Sequence, residues 1–497
     1  MESVFVKKMS ENYGYFGGLS ILYGILFALC LYKNPNGITY PLFVFITIGI
    51  SYMLLKKIGF TIKKDTWMYV AGMVLLGIGT AMTSSWFLGF FNSAGIFLLF
   101  LTAMMHQFHE DGKWDFPIYV KELFKICIRT VGHIFYPFTH AFRYLAGSKE
   151  GKRKNIAAVC FGILIAGALL LIVFPMLLRS DMIFAGIFER VLWNIHFSSV
   201  FSIGFMVLVG FISSYAFFSA LCSSGRDEII EEKRNDFNSL IGITFTSVLA
   251  IIYLLYAMIQ VFYLFLRIDS GLPNGVTYAE YARQGFFELL FVGIINFVLV
   301  LTCKYLFDAN KVLYGILTAI SGCTFVMLVS AFYRMMLYVQ IYHFTFLRML
   351  VLWCLIVLAL IMSGVVLSIY RKSFPLFRYI VFVVGCGYIL FSFAKPDRLV
   401  AEYNIRHMET VSMQDLYYMI YELSDDAAPA LAKLDPKKID SSYDTDADIY
   451  ENWDVEGAAV LREYYGEVAD KYEDLSIRQW NLSKVQARNA AIRAGDF

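Results

Sequence analysis

The chain has 497 residues, of which 59% are hydrophobic and 16% charged, with a formal net charge of +2. That balance lies outside the soluble globular range and excludes a multidomain soluble enzyme; it belongs to proteins built within a bilayer. The near-neutral charge gives no case for nucleic acid as a partner.

In hydrocarbon every unpaired amide is costly, so each uncharged run of about 20 residues reads as a self-satisfied helix. In chain order, spans are predicted near 13–32, 37–55, 66–84, 86–106, 155–178, 196–222, 238–266, 285–306, 312–333, 346–370 and 376–394. The first is long enough to stay as a signal-anchor, and no small-x-small cleavage site follows it. Thr83-Ser84-Ser85-Trp86 is the natural hairpin between the third and fourth spans. The last span has a short uncharged run, Tyr379–Ala394, which Arg378 and Lys395 extend by snorkelling. The predicted fold class is all-α: a polytopic helical membrane protein of about 11 spans over 1–394, with a small helical extracytoplasmic domain over 395–497.

Lys and Arg fix the orientation, because they resist translocation. With the amino terminus inside, 23 of them fall on cytoplasmic segments and 7 on outer ones, and an odd span number exports the carboxyl-terminal domain. That domain holds 21 acids against 12 bases. All eight cysteines lie before it, the closest two being Cys303 and Cys323, so neither a disulfide framework nor a Cys-x-x-Cys site is expected.

The cytoplasmic segment 107–154 carries Lys121, Lys125, Arg129 and His133 at four-residue spacing on a helix otherwise rich in apolar residues. Such a helix lies in the headgroup layer, either binding anionic lipid headgroups or serving as a positive-inside anchor. His106 and His109, with Glu110 and Asp111 adjacent, lack a third ligand at a defined spacing and read as an interfacial histidine pair; no metal or cofactor is expected.

Two outer segments place ionisable groups at membrane depth. Glu280, Arg283, Glu288 and Asn296 lie along one segment, with Gln284, Glu288 and Asn296 forming a polar stripe on a helix. Arg334, Tyr338, Tyr342 and Arg348 lie along the other. An intramembrane carboxylate must be protonated, paired or hydrated, and pairing of Glu288 with Arg334 or Arg348 is the simplest solution. The set reads either as a ligand or proton site opening outward or as an ion-pair clamp between helices.

In the tail, helices are predicted at Arg398–Met408, Met413–Leu423, from Ser424, at Val455–Tyr472 and at Ile477–Arg493. Ser412 and Asp415 form a capping-box-like start, and Ser424 is expected to cap the third helix with Asp425 and Asp426 against its dipole. Leu416, Tyr417, Ile420, Leu431 and Leu434 are the expected core.

The segments from Thr277 to Glu288 and Arg334 to Arg348, with Asp415-Leu416-Tyr417 and the run from Leu423 to Leu431, resemble a family of bacterial polytopic membrane proteins labelled as a domain of unknown function, of DUF4173/DUF4153 type. The likeness covers roughly residues 150–435. The chain departs from it at His343, where a small turn residue is expected, and at Phe346, where a basic one is usual. The resemblance implies a bacterial origin and this layout, and supplies no activity.

No catalytic signature is present: no Walker loop, nucleophile elbow, zincin or aspartate-rich metal motif occurs. The reading favoured by the sequence is an extracytoplasmic sensor or accessory subunit of a cell-envelope system in the bacterial cell membrane. Its partners are the lipid bilayer and a protein bound through the tail. The alternative is a secondary transporter or lipid-handling protein that uses the outward Glu288 site.

Overall fold

The computed structural model describes residues 4–111, 114–146, scattered positions from 162 to 180, and 197–224, 237–262, 285–371, 373–440 and 457–495. The protein is all-α and polytopic. Among the described residues, nine helices are long and apolar enough to cross a membrane. They are α2 (Tyr13–Leu31), α3 (Thr39–Ile58), α5 (Trp86–Phe108), α8 (Phe197–Ser224), α9 (Ser239–Gln260), α10 (Phe286–Leu306), α11 (Lys311–Tyr342), α12 (Phe346–Tyr370) and α13 (Leu376–Phe393). The chain opens with a short α1 (Val4–Glu11), and α4 (Thr66–Thr80), at 15 residues, is a shorter apolar helix at the predicted third span. The predicted span at 155–178 falls largely outside the described residues.

The chain forms two compact units. The first comprises Met1–Met82, Gly89–Glu228 and Leu475–Asn481. In it α2 lies along α8 with backbones in contact: a Cβ on Gly24 would meet the Val207 carbonyl, and one on Gly210 would lie 2.8 Å from Gly24 Cα. Small residues at such a crossing are how membrane helices gain packing energy without a hydrophobic drive. α3 flanks α2, and α4 flanks α3. Two amphipathic helices, α6 (Phe116–Gly132) and α7 (Tyr136–Ala146), pack against α8. The segment 475–481 docks on the turn between α2 and α3, where Trp480 accepts from Ile38 N at 2.8 Å and Asn34 Nδ2 donates to Arg478 O at 2.6 Å.

The second unit comprises Thr83–Leu88, Ile229–Asp474 and Leu482–Phe497. Its centre is α11, against which α9, α10 and α12 pack around Met327, Ala331, Met335, Leu355 and Met362. At 32 residues α11 is about 48 Å long, well beyond a hydrocarbon core of about 30 Å. It continues nine residues past the predicted end at 333, so Arg334, Tyr338 and Tyr342 sit on a helical extension.

The tail follows as α14 (Pro396–His407), with Pro at its first position. Next come a two-residue parallel pairing of β1 (Val411–Ser412) with β2 (Ile439–Asp440), α15 (Met413–Tyr417) and α16 (Ala428–Leu431), then α17 (Gly457–Lys471) and α18 (Leu482–Gly495). Ser412 caps α15 as expected, accepting from Asp415 N at 3.1 Å. α15 runs into a π turn, Tyr418–Glu422. Leu416, Ile420, Leu431 and Leu434 are buried, whereas Tyr417 is exposed and stacks on Tyr421.

Candidate functional site

The expected polar stripe does not stay on one face. Glu280 and Arg283 lie outside the described residues. Glu288 is exposed in the first turn of α10, while Asn296 is fully buried and donates through Nδ2 to Thr324 Oγ1 at 2.9 Å. Eight residues turn an α-helix by about 800°, leaving the two side chains roughly 80° apart.

The two arginines have protein partners of their own. Arg334, 6% exposed, donates through Nη2 to Gln260 Oε1 at 3.0 Å, and Ser330 donates to the same oxygen at 2.6 Å. Gly285, at φ +97°, starts α10 beside this guanidinium; a Cβ there would stand 2.9 Å from Arg334 Nη1. Arg348 lies over the Tyr338 ring, 4.3 Å from its centroid, and donates to the carbonyls of Tyr342 and His343. A guanidinium thus satisfies the open carbonyls where α11 ends. The turn itself is strained: His343 adopts φ 60°, ψ −179°, a region that favours glycine.

That turn is held by the tail. Asn404 clamps the Phe344 peptide at both ends, accepting from its N–H and donating to its carbonyl, each at 2.9 Å. The Tyr418 hydroxyl accepts from Phe346 N at 2.8 Å, and Thr345 caps α12 through Arg348 N.

Beside it lies a polar cluster built on two buried aspartates. Asp426, 1% exposed, accepts at Oδ2 from Thr83 Oγ1 at 2.5 Å and at Oδ1 from Ser84 N and Ser84 Oγ, both at 2.9 Å; Ser483 Oγ donates to it as well. Asp397 is also buried and accepts from Ser424 Oγ at 2.5 Å, with Ser85 a further donor. Burial pushes the Asp397 carboxyl up to about 6, against the pull of the Ser424 hydroxyl and with a smaller push from Asp426. Ser424 therefore does not cap the helix that follows: Asp397 captures its hydroxyl, and Asp426 turns to the hairpin instead of the helix dipole. Asp425 points the other way, bonding Lys471 Nζ at 2.7 Å and the Tyr472 hydroxyl. Burial, and then the Asp425 carboxylate, raise the Tyr472 phenol above its usual range.

These groups border a cleft of about 840 Å³. Its lining includes the aromatic Trp86, Phe346 and Tyr421 and the charged Asp397, Glu422, Asp425, Glu467 and Lys471. The π turn supplies four lining residues, Tyr418, Ile420, Tyr421 and Glu422. Single π turns recur at functional sites because they re-aim side chains.

Of the basic stripe on α6, Lys125 pairs with Glu122 at 3.0 Å, Arg129 Nη1 donates to Ser224 Oγ at 2.5 Å, and His133 stacks on Tyr136. Lys121 is exposed. His106 and His109 are buried; His106 Nδ1 contacts Asp111 at 2.9 Å, Tyr119 donates to the same carboxylate, and Lys63 Nζ donates to both histidine carbonyls at 2.7 Å.

The aspartate cluster was missed in the sequence, although its signal was present. Three consecutive hydroxyl residues in a hairpin, Thr83-Ser84-Ser85, and an Asp-Asp pair in an apolar context are complementary sets.

Among the described residues, nine helices long and apolar enough to cross a membrane, with a polar helical tail, define a polytopic α-helical membrane protein. The chain belongs to the family described as domain of unknown function (DUF4153), which matches residues 70–434. The match takes in the hairpin, the α11–α12 turn and both aspartates of the cluster. No curated protein matches the chain, and no solved structure matches it.

Proposed function

We propose that this protein is an extracytoplasmic sensor or accessory subunit of a bacterial cell-envelope system. Its amino terminus lies in the cytoplasm, and residues 395–497 form a polar domain outside the cell membrane. The cleft carries this reading. Four carboxylates stand there against Lys471, beside exposed aromatic faces, a lining that suits an amphiphilic cation. Two further observations support the orientation. The excess of Lys and Arg falls on the opposite segments, and the Thr83–Ser85 hairpin and the 343–346 turn, both expected outside, are the ones bonded to the tail.

The test has two arms. In intact cells, Tyr421→Cys reacts with a membrane-impermeant maleimide above the wild-type background; reaction only after permeabilisation removes the outward orientation. In nanodiscs, a cationic amphipathic peptide shifts the Trp86 component of the fluorescence, identified by its loss in Trp86→Phe. An anionic peptide of equal hydrophobicity leaves it unchanged. Equal responses to both peptides overturn the ligand assignment.

A further inference from the structure

The first unit contains a second cavity, of about 430 Å³, enclosed by α3, α5 and α8 with Met73 of α4. Its contour follows α3 from Tyr40 to Ser51 and α5 from Ser93 to Leu101. Tyr40 donates to Ser93 at 2.7 Å and closes one end. At the other end Cys127 and Thr130 of α6 complete the lining, close to where Arg129 meets Ser224 at the end of α8. From Tyr40 to Ser51 α3 rises about 16 Å, so the space is a slot with a cross-section of roughly 25 Å². That is the girth of one polymethylene chain.

The wall asks for no polar guest. Thr47, Thr130, Ser213 and Ser214 each donate to a carbonyl one turn back on their own helix, leaving aromatic and aliphatic surface toward the slot. Apolar cavities of about 150 Å³ stay dry and take a six-carbon ring; this one admits a guest nearly three times larger. In a bilayer the abundant guest of that shape is an acyl chain.

α6 supplies what an acyl chain needs at its end. At 100° per residue its side chains fall on three faces. Tyr119, Glu122 and Ile126 are buried against the unit; Phe124, Ile128 and Val131 are exposed and apolar; Lys121, Lys125 and Arg129 form a basic flank between them. Lys56 and Lys57 end α3 a turn or two beyond Ser51, at the same end of the slot. Arg129 reaches Ser224 at the end of α8, and a cation there suits an anion carried on a hydrocarbon tail.

We propose that the slot holds one acyl chain of an anionic glycerophospholipid from the surrounding bilayer, with its phosphate against Arg129. This assignment is independent of the cleft and of the orientation proposed above.

The test uses the full-length protein in detergent micelles with phosphatidylglycerol bearing a diazirine on one acyl chain. Photolabelling is mapped by peptide mass spectrometry. Labels are expected on Tyr40–Ser51 and Ser93–Leu101 and are displaced by unlabelled phosphatidylglycerol. They fall about tenfold in Ser51→Leu or Ser214→Leu, which narrow the slot. Arg129→Gln lowers labelling to the level given by the phosphatidylcholine analogue. Labels confined to the exposed Leu42, Phe45 and Leu98, with no displacement by unlabelled lipid in the wild type, overturn the site even if neither narrowed variant folds. Equal labelling of the wild type by the phosphatidylcholine analogue overturns the anionic headgroup.

Discussion

Asn296 in α10 and Asp426 in the tail are both almost wholly buried, at 0% and 1% exposure, but their surroundings differ. Among the described residues Asn296 makes one side-chain bond, to Thr324, and its Oδ1 finds no partner. Asp426 gathers donors from Thr83, Ser84 and Ser483 on both oxygens. The contrast follows from the reference state. A membrane helix is already out of water before it packs, so a half-satisfied amide loses little on assembly. A tail carboxylate leaves water when the tail folds, so every lone pair must be matched.

The contrast is broken most directly at Asp426. Asp426→Ala removes the shared acceptor of three hydroxyls and a backbone N–H, and the expected loss is roughly 3–4 kcal/mol. Denaturant unfolding of the purified protein measures it, and a loss under about 1 kcal/mol contradicts the proposed requirement.

Asp397 sharpens the comparison through pH. Its carboxyl is raised to about 6 from an ordinary 3.8, so the folded state holds its proton more tightly than the unfolded chain does. Its ionisation cost is therefore present in full above pH 6, shrinks as pH falls, and is gone below about 3.8. Relative to Asp397→Asn, wild-type stability should gain up to about 3 kcal/mol between pH 7 and 4. Parallel pH profiles for the two proteins remove the argument.

His343→Gly relieves the positive φ and should stabilise the protein by about 1 kcal/mol, because the strain removed exceeds the added chain entropy. A lowered melting temperature would show that the imidazole makes a compensating contact. The smallest effect is expected at Asn296→Val, no more than about 0.6 kcal/mol, since Thr324 keeps its bond to the Ile320 carbonyl. A cost several times larger would assign the amide a role beyond packing.

Much of the fold was legible because the bilayer restricts the choices. The runs ending at Leu31, Tyr370 and Phe393 read directly as spans, since an uncharged stretch of that length has few other fates. The end of α11 was not legible: Arg334 looks like a stop, yet the helix carries it on, with its guanidinium bonded to Gln260. In the tail, Ser412 capped as local rules dictate, while Ser424 was drawn to Asp397, 27 residues away in sequence. The sites followed the same pattern. The α6 stripe was visible through its period, but the slot beside it and the aspartate cluster are assembled from distant segments that no local spacing records.

The grip of Asn404 and Tyr418 on the α11–α12 turn also bears on inheritance. Cutting the chain after Ala394 strips Phe344 and Phe346 of their partners, so the polar end cannot be exchanged among relatives as a cassette. Chimeras that carry both halves of this clasp from one parent should survive, and those that split it should be lost to quality control.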